Sequence, residues 1–274
     1  MIMEACRFCG SLDKEVLYDL RKRPEGETRF LSIEKQAYRR QIQRCGVCGH
    51  CESVCSMDVS GMYSGEYVNA TYADADGVRR NFERIIGLPA SKSDNAARVQ
   101  RLCNFADEFF DRSQERRLLD IGSGLAVFPY AMKQCGWSCT ALDPDPRAAE
   151  HARATADVES ICADFMSGSL DGKYPVITLN KVLEHVPDPV AMAERASGLL
   201  GAPGFLYVEV PDAEAAASGG PEREEFYIEH LHVFSAASLC LLAVKSGFCI
   251  LSLERLKEPS GKFTLAAFLI SAPK

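Results

Sequence analysis

An apolar run that ends in an acid and enters a glycine turn constrains this chain more than any other feature: Leu118-Leu119-Asp120-Ile121-Gly122-Ser123-Gly124. Such a run reads as a buried strand whose backbone then bends sharply toward a ligand. Glycine permits that bend and leaves room for a bound group. A second acid follows in Ala141-Leu142-Asp143-Pro144, with Asp143 placed 19 residues after Gly124. That distance suits the end of a second parallel strand, where a carboxylate can accept hydrogen bonds from a ribose diol. The pattern predicts the nucleotide half-site of a doubly wound α/β domain.

Two ligands compete for such a half-site. A dinucleotide wants G-x-G-x-x-G and a helix N-terminus open to pyrophosphate. Here Val127, Phe128 and Pro129 stand where the third glycine and the start of that helix would be. Asp120, two residues before the first glycine, would repel a diphosphate and attract a sulfonium. The pattern therefore favours S-adenosylmethionine over a dinucleotide.

These residues resemble the class I S-adenosylmethionine-dependent methyltransferases over about residues 95–274. Leu118 to Gly124 is similar to that family's first motif, with Ala126 in place of the third glycine. The resemblance implies a doubly wound, seven-stranded Rossmann-like α/β sheet. It also implies cofactor contacts from Asp120, Gly122, Ser123, Gly124, Asp143 and Pro144. Cys162-Ala163-Asp164-Phe165 is similar to the third-strand motif, which implies Asp164 on the adenine amino group and Phe165 beside the ring. Val176-Ile177-Thr178-Leu179-Asn180 reads as the fourth strand, with Asn180 at the cofactor, and runs into Val182-Leu183-Glu184-His185-Val186. Gly204 to Pro211 reads as the fifth strand and Phe263 to Ile270 as the last.

A chain of 274 residues accommodates one such domain plus a smaller unit. We divide it into a cysteine-rich module (1–60), a connector with a helical cover (61–94) and the main domain (95–274). No apolar run approaches the ~18 residues of a membrane span, and no signal peptide is apparent. A net charge of −7 argues against a general nucleic-acid surface. The partner expected is a small-molecule substrate; the sequence does not decide the oligomeric state.

Twelve cysteines divide into two groups. Cys103, Cys135, Cys139, Cys162, Cys240 and Cys249 read as small buried hydrophobes in a reducing cytoplasm. In the first 55 residues, Cys6-x-x-Cys9 and Cys45-x-x-Cys48 form two knuckles, each followed by a glycine. Four thiolates from two knuckles are what structural zinc takes, with Cys51, Cys55 and His50 as spare ligands. A rival lies in Cys45-x-x-Cys48-x-x-Cys51-x-x-x-Cys55, which has the spacing of a ferredoxin iron–sulfur run.

A two-knuckle module ahead of this domain resembles a subgroup rich in sugar C-methyltransferases acting on nucleotide-linked deoxysugars. Those proteins usually carry a further C-terminal domain, for which the sequence after Ile270 offers no counterpart. The resemblance extends to Tyr227-Ile228-Glu229-His230, and implies His230 as base with Tyr227 and Glu229 around the substrate. His185 is expected in the same pocket, orienting substrate. A neutral histidine can take a proton from carbon beside a ketone, while oxygen transfer needs less of a base. The substrate expected is a sugar or a sugar nucleotide. In other methyltransferases of this type the same histidine simply fixes the loop, and Ser235 caps the next helix.

Around these motifs, Met62 to Tyr72 reads as a connector whose Tyr67 and Tyr72 could reach the cofactor or merely pack. Gly77–Leu88 reads as a helix, and a second starts after Ser93 or Asp94. His151 reads as a surface helix residue. Glu209 suits either a substrate hydroxyl or a satisfied core position. A second class of function, a metal-containing scaffold with a vestigial methyltransferase fold, draws its support from Ala126 alone.

Overall fold

The computed structural model describes residues 4–59 and 75–273. The connector with Tyr67 and Tyr72 lies outside them. Strand β1 (Lys14–Leu20) pairs antiparallel with β2 (Arg40–Cys45), which pairs antiparallel with β3 (Cys51–Cys55). The short helix α1 (Leu31–Glu34) crosses between the first two.

The main sheet is built from β4 (Arg117–Ile121), β5 (Ser138–Asp143), β6 (Glu159–Cys162), β7 (Tyr174–Asn180) and β8 (Leu200–Pro211), together with β10 (Phe248–Lys257) and β11 (Phe263–Ser271). Its strand order is β10-β11-β8-β7-β4-β5-β6. Five strands are parallel, and β11 and β10 close one side as an antiparallel hairpin. The doubly wound seven-stranded sheet is thus the fold. Val176, Ile177 and Leu179 on β7 are each fully buried. Helices cover both faces of a parallel sheet, so its central strands are apolar on both sides. The last strand in the chain lies inside the sheet, between β8 and β10, rather than at its edge.

Helices α2 (Ala75–Ile86) and α3 (Asp94–Phe109) precede β4; α4 (Val127–Gln134), α5 (Pro146–Ala154) and α6 (Pro189–Leu199) join the parallel strands. Ser93 caps α3 through its hydroxyl, which accepts from the Ala96 N–H at 3.1 Å. Helix α2 places Phe82 edge-on against His151 of α5, with ring centroids 5.0 Å apart. His151 is therefore buried, contrary to its reading as a surface residue, because α2 lies across α5. Of the six scattered cysteines only Cys139 is buried; Cys103 is half-buried and the other four are exposed. Amphipathic helix and edge-strand positions with a small side chain do not demand burial. None of the helices among the described residues is long and apolar enough to cross a membrane.

After β8 come α7 (Ala213–Ala217), the two-residue strand β9 (His232–Val233) and α8 (Ala236–Lys245). Strand β9 pairs with β3, Cys51 opposite Val233 and Glu52 opposite His232. The N-terminal sheet is therefore completed by residues from the C-terminal half. Glu27 reinforces that join: its buried carboxylate meets Arg40 at 3.0 Å and accepts from the Tyr38 hydroxyl at 2.8 Å and the Ile228 N–H at 2.8 Å. Phe8 packs on Phe234 at 5.6 Å, so the first knuckle rests against the start of α8.

Candidate active site

The turn after β4 is held by strand β5. The N–H groups of Gly122 and Ser123 donate to the Leu142 carbonyl at 2.8 and 3.2 Å. Gly122 has φ of +70°, and a Cβ there would stand 2.8 Å from Val182 Cγ2. Only glycine fits both conditions. The half-buried Asp143 accepts from the Gly124 N–H through Oδ2 at 2.8 Å and from the Asp145 N–H through Oδ1 at 2.9 Å. Burial pushes this carboxyl up, against those two N–H bonds. Each oxygen has a second lone pair for a ribose hydroxyl.

A cavity of about 1220 Å³ opens beside this turn at the carboxyl ends of the parallel strands. Gly122, Ser123, Gly124, Asp143, Pro144, Asp164, Phe165 and Asn180 all line it. Asp164 is exposed at its mouth, where Ser167 Oγ and the Met166 N–H donate to it at 2.7 and 3.0 Å and hold it down. Asp120 is different. It is 2% exposed and is not among the lining residues. Its Oδ1 accepts from Thr178 Oγ1 at 2.6 Å and from Asn180 Nδ2 at 2.9 Å. Burial pushes Asp120 up to about 6. Its reach is to β7, so it acts behind the turn.

Ala126, where the resemblance has a glycine, caps α4 with a left-handed backbone (φ 55°, ψ 21°). Its methyl is buried in the core rather than in the cavity wall.

The second half of the cavity is lined by Glu184, His185, Tyr227, Glu229 and His230. His185 Nδ1 lies 2.9 Å from the Glu229 carbonyl, and His230 Nδ1 lies 2.9 Å from the Glu225 carbonyl. A carbonyl only accepts, so each Nδ1 carries the proton; a neutral ring then holds its lone pair on Nε2. The two rings meet edge-on with centroids 4.9 Å apart. Burial, then the neighbouring His185, pushes His230 well below its ordinary value, so it is a neutral imidazole. Burial pushes Glu229 up to about 7.

Tyr227 sits differently from its expected place around the substrate, and Glu209 takes the core alternative of its two readings. The Tyr227 hydroxyl donates to the Glu25 carbonyl at 2.9 Å, so that its polar end ties the N-terminal loop to the cavity wall. Glu209 is fully buried and takes Arg98 at 2.6 Å, Arg101 at 3.0 Å and the Tyr207 hydroxyl at 2.6 Å. Against its burial, those partners hold it down to about 2. It is a satisfied core carboxylate and does not line the cavity.

Lys181 was not visible as a site residue. It follows β7 with φ of +59°, a rare backbone for lysine, and lines the cavity. Its Nζ donates to Thr264 Oγ1 at 2.5 Å. Residue type and spacing carry no sign of that backbone strain.

At the other end of the module, one sulfur from each of Cys6, Cys9, Cys45 and Cys48 falls within 4.8 Å of every other. Cys6 meets Cys48 at 3.5 Å and Cys9 meets Cys45 at 3.4 Å. A tetrahedral metal at about 2.3 Å from each sulfur spaces the sulfurs about 3.8 Å apart, so this donor set fits a single zinc ion. Gly10 and Gly49 complete the knuckles with φ of +76° and +72°. Against burial, the N–H groups of Cys48 and Val47 draw Cys45 down to about 7. Cys51, Cys55 and His50 stand apart. Cys51 lies against the Gly49 carbonyl, Cys55 against the Arg39 carbonyl, and His50 Nε2 meets His232 Nδ1 at 3.1 Å. The ferredoxin-like run is thus split between two places.

The model of a family described as a methyltransferase domain matches residues 93–253. Among curated relatives, the ubiquinone biosynthesis O-methyltransferase of Xanthomonas campestris pv. campestris is 31% identical over 108 residues, covering 37% of this chain and 45% of the relative. That of Actinobacillus pleuropneumoniae serotype 5b is 28% identical over 103 residues, covering 34% and 44%. The chain thus spans less than half the length of these relatives. Among solved structures, the Burkholderia thailandensis 1,6-didemethyltoxoflavin-N1-methyltransferase superposes with a TM-score of 0.58 at 15% identity, over 90% of this chain and all (100%) of that one. The magnesium protoporphyrin IX methyltransferase of Synechocystis PCC 6803 gives 0.58 at 14% identity, over 77% and 99%. At such identities these structures establish the fold.

Asp120 yields a pH test. Its folded value of about 6 lies above the ordinary 3.8, so the folded chain binds this proton more tightly than the unfolded chain. Its stabilising contribution is complete below the ordinary value and is lost as pH rises through about 6. Asp120→Asn keeps an oxygen for Thr178 and Asn180 and removes the charge. Urea denaturation without ligand should show the stability of the variant relative to wild type rising by roughly 2–3 kcal/mol from pH 4 to pH 7. A difference that stays flat would mean that Asp120 ionises like an exposed carboxylate.

Proposed function

Because the chain belongs to the methyltransferase-domain family, we propose that it moves a methyl group from S-adenosylmethionine to a small molecule of the sugar class, with His230 as the base. One observation carries this reading: a glycine turn braced by Asp143 and a neutral His230 face the same cavity.

S-adenosylmethionine supplies an activated methyl on a sulfonium. The residues that would hold it are Gly122, Ser123 and Gly124 along the turn, Asp143 and Pro144 at the ribose, Asp164 and Phe165 at the adenine, and Asn180 at the strand end. Asp120 serves by fixing Asn180 and the turn. His230 takes the proton of the acceptor through Nε2 while the Glu225 carbonyl holds its Nδ1–H. His185 and Glu229 orient the acceptor, and the ring of Tyr227 walls it. Among the described residues the cavity has two lysines and no arginine in its lining. That wall suits a free sugar better than a diphosphate-linked one. The oxygen acceptors named for the curated relatives favour a hydroxyl over carbon as the atom methylated. The scaffold alternative loses its support, since Ala126 does not intrude on the cavity.

We assign the four-cysteine cluster to structural zinc, closed by four sulfurs and offering no open position for catalysis. The N-terminal module is then the unit that the metal folds, and we place the protein in the reducing cytoplasm.

Two results test these assignments. His230→Gln should lower labelled-methyl transfer to sugar acceptors by about 10²–10⁴-fold, with affinity for S-adenosylhomocysteine within twofold of wild type. Equal transfer would remove His230 as base. The Cys45→Ser, Cys48→Ser double variant should lose its bound zinc, measured by elemental analysis, and melt several degrees lower; metal and melting point both retained would refute the cluster.

A further inference from the structure

We infer that the acceptor carries a protonated amino group, held by the Glu184 carboxylate and adjacent to the position that reacts. The inference rests on the methyl-transfer reading above and names the substrate class of that same site.

Glu184 is 1% exposed and lines the cavity, and its Oε2 has no hydrogen-bond partner among the described residues. Its own carbonyl is used structurally, accepting from the N–H groups of Leu231 and His232 at 2.8 and 3.2 Å. A buried carboxylate oxygen without a donor costs about 1–3 kcal/mol. Burial pushes this carboxyl up, against the nearby His185 and Lys181; a ligand that brings an N–H donor recovers the cost of the open oxygen, and an ammonium also favours the ionised form.

The rest of the wall repeats this preference. Glu184, Asp188, Glu224, Glu225 and Glu229 line this half, against Lys181 and Lys262. Lys262 is paired with Glu224 at 3.1 Å, Glu225 is paired with Arg223 at 2.6 Å, and Lys181 donates to Thr264, which leaves Glu184 with the open oxygen. An anionic ligand therefore finds acids and engaged lysines, while a cation finds an open carboxylate oxygen. Position follows from the third observation. A carboxylate oxygen of Glu184 and a ring nitrogen of His230 lie within 4.8 Å of each other. Such a pair fits an amine and a hydroxyl on neighbouring carbons of one molecule: the amine to Glu184, the hydroxyl to His230. A 2-amino sugar has this arrangement.

The test is a calorimetric titration of the full chain saturated with S-adenosylhomocysteine, using glucosamine, glucose, N-acetylglucosamine and UDP-glucose as probes. Glucosamine should bind at least tenfold more tightly than the other three. Glu184→Gln should abolish that preference while affinity for S-adenosylhomocysteine stays within twofold. Glucosamine binding no tighter than glucose, tightest binding of UDP-glucose, or binding that needs added Mg²⁺ or Zn²⁺ would each overturn the inference. So would a parallel loss of S-adenosylhomocysteine affinity in the variant, which would give Glu184 to the methyl donor itself. Failure of the wild type to bind S-adenosylhomocysteine would instead defeat the underlying methyl-transfer reading.

Discussion

The bond from the Gly124 N–H to the Asp143 carboxylate joins two strand ends and fixes everything that follows at this edge of the sheet. Strand β4 ends where its neighbours on either side, β5 and β7, diverge toward opposite helical layers. A crevice at that place is a consequence of the winding, and the turn decides its shape. With Gly122 at positive φ and pressed against Val182, the main chain lies flat along the crevice wall. Asp120 then sits below it, bridging to β7 through Thr178 and Asn180. An acid that looks poised to face a cation braces β4 against β7.

The other wall depends on a loop that has little structure of its own. Residues 222–235 are pinned from three directions: by Glu27 and Glu25 of the N-terminal segment, by strand β3 through β9, and by the Glu184 carbonyl. His230 owes its position to that pinning. The cysteine cluster lies at the far end of the same sheet, and its second knuckle reaches this loop through Ser235, whose hydroxyl donates to the Cys48 carbonyl. A metal held by the four sulfurs would order the knuckles and, through that bond, the loop that carries His230.

What the sequence made legible follows the range of the interactions. The glycine turn, the parallel strands, the Ser93 cap and the two knuckles are each encoded within a few residues, by φ demands, apolar runs and ligand spacing. The hydroxyl of Tyr227 was not legible, since its partner lies 202 positions away at Glu25. Glu209 gave no sign of Arg98, 111 positions earlier, which decides between its cleft and core readings in favour of the core. The reach of Asp120 depends on side chains of another strand, and the burial of His151 on a helix that crosses above it. Spacing alone could not say which four of the six N-terminal cysteines converge either. Only the fold shows Cys51 and Cys55 leaving the cluster.

The proposed methyl transfer requires the glycine turn and Asp143 to form a site for S-adenosylmethionine. The direct measurement is calorimetric titration of the metal-loaded chain with S-adenosylmethionine and with NAD, in wild type and in Asp143→Ala. The predicted result is micromolar affinity for S-adenosylmethionine, lost in the variant, and no heat with NAD. No binding of S-adenosylmethionine, or equal binding by the variant, would contradict the account.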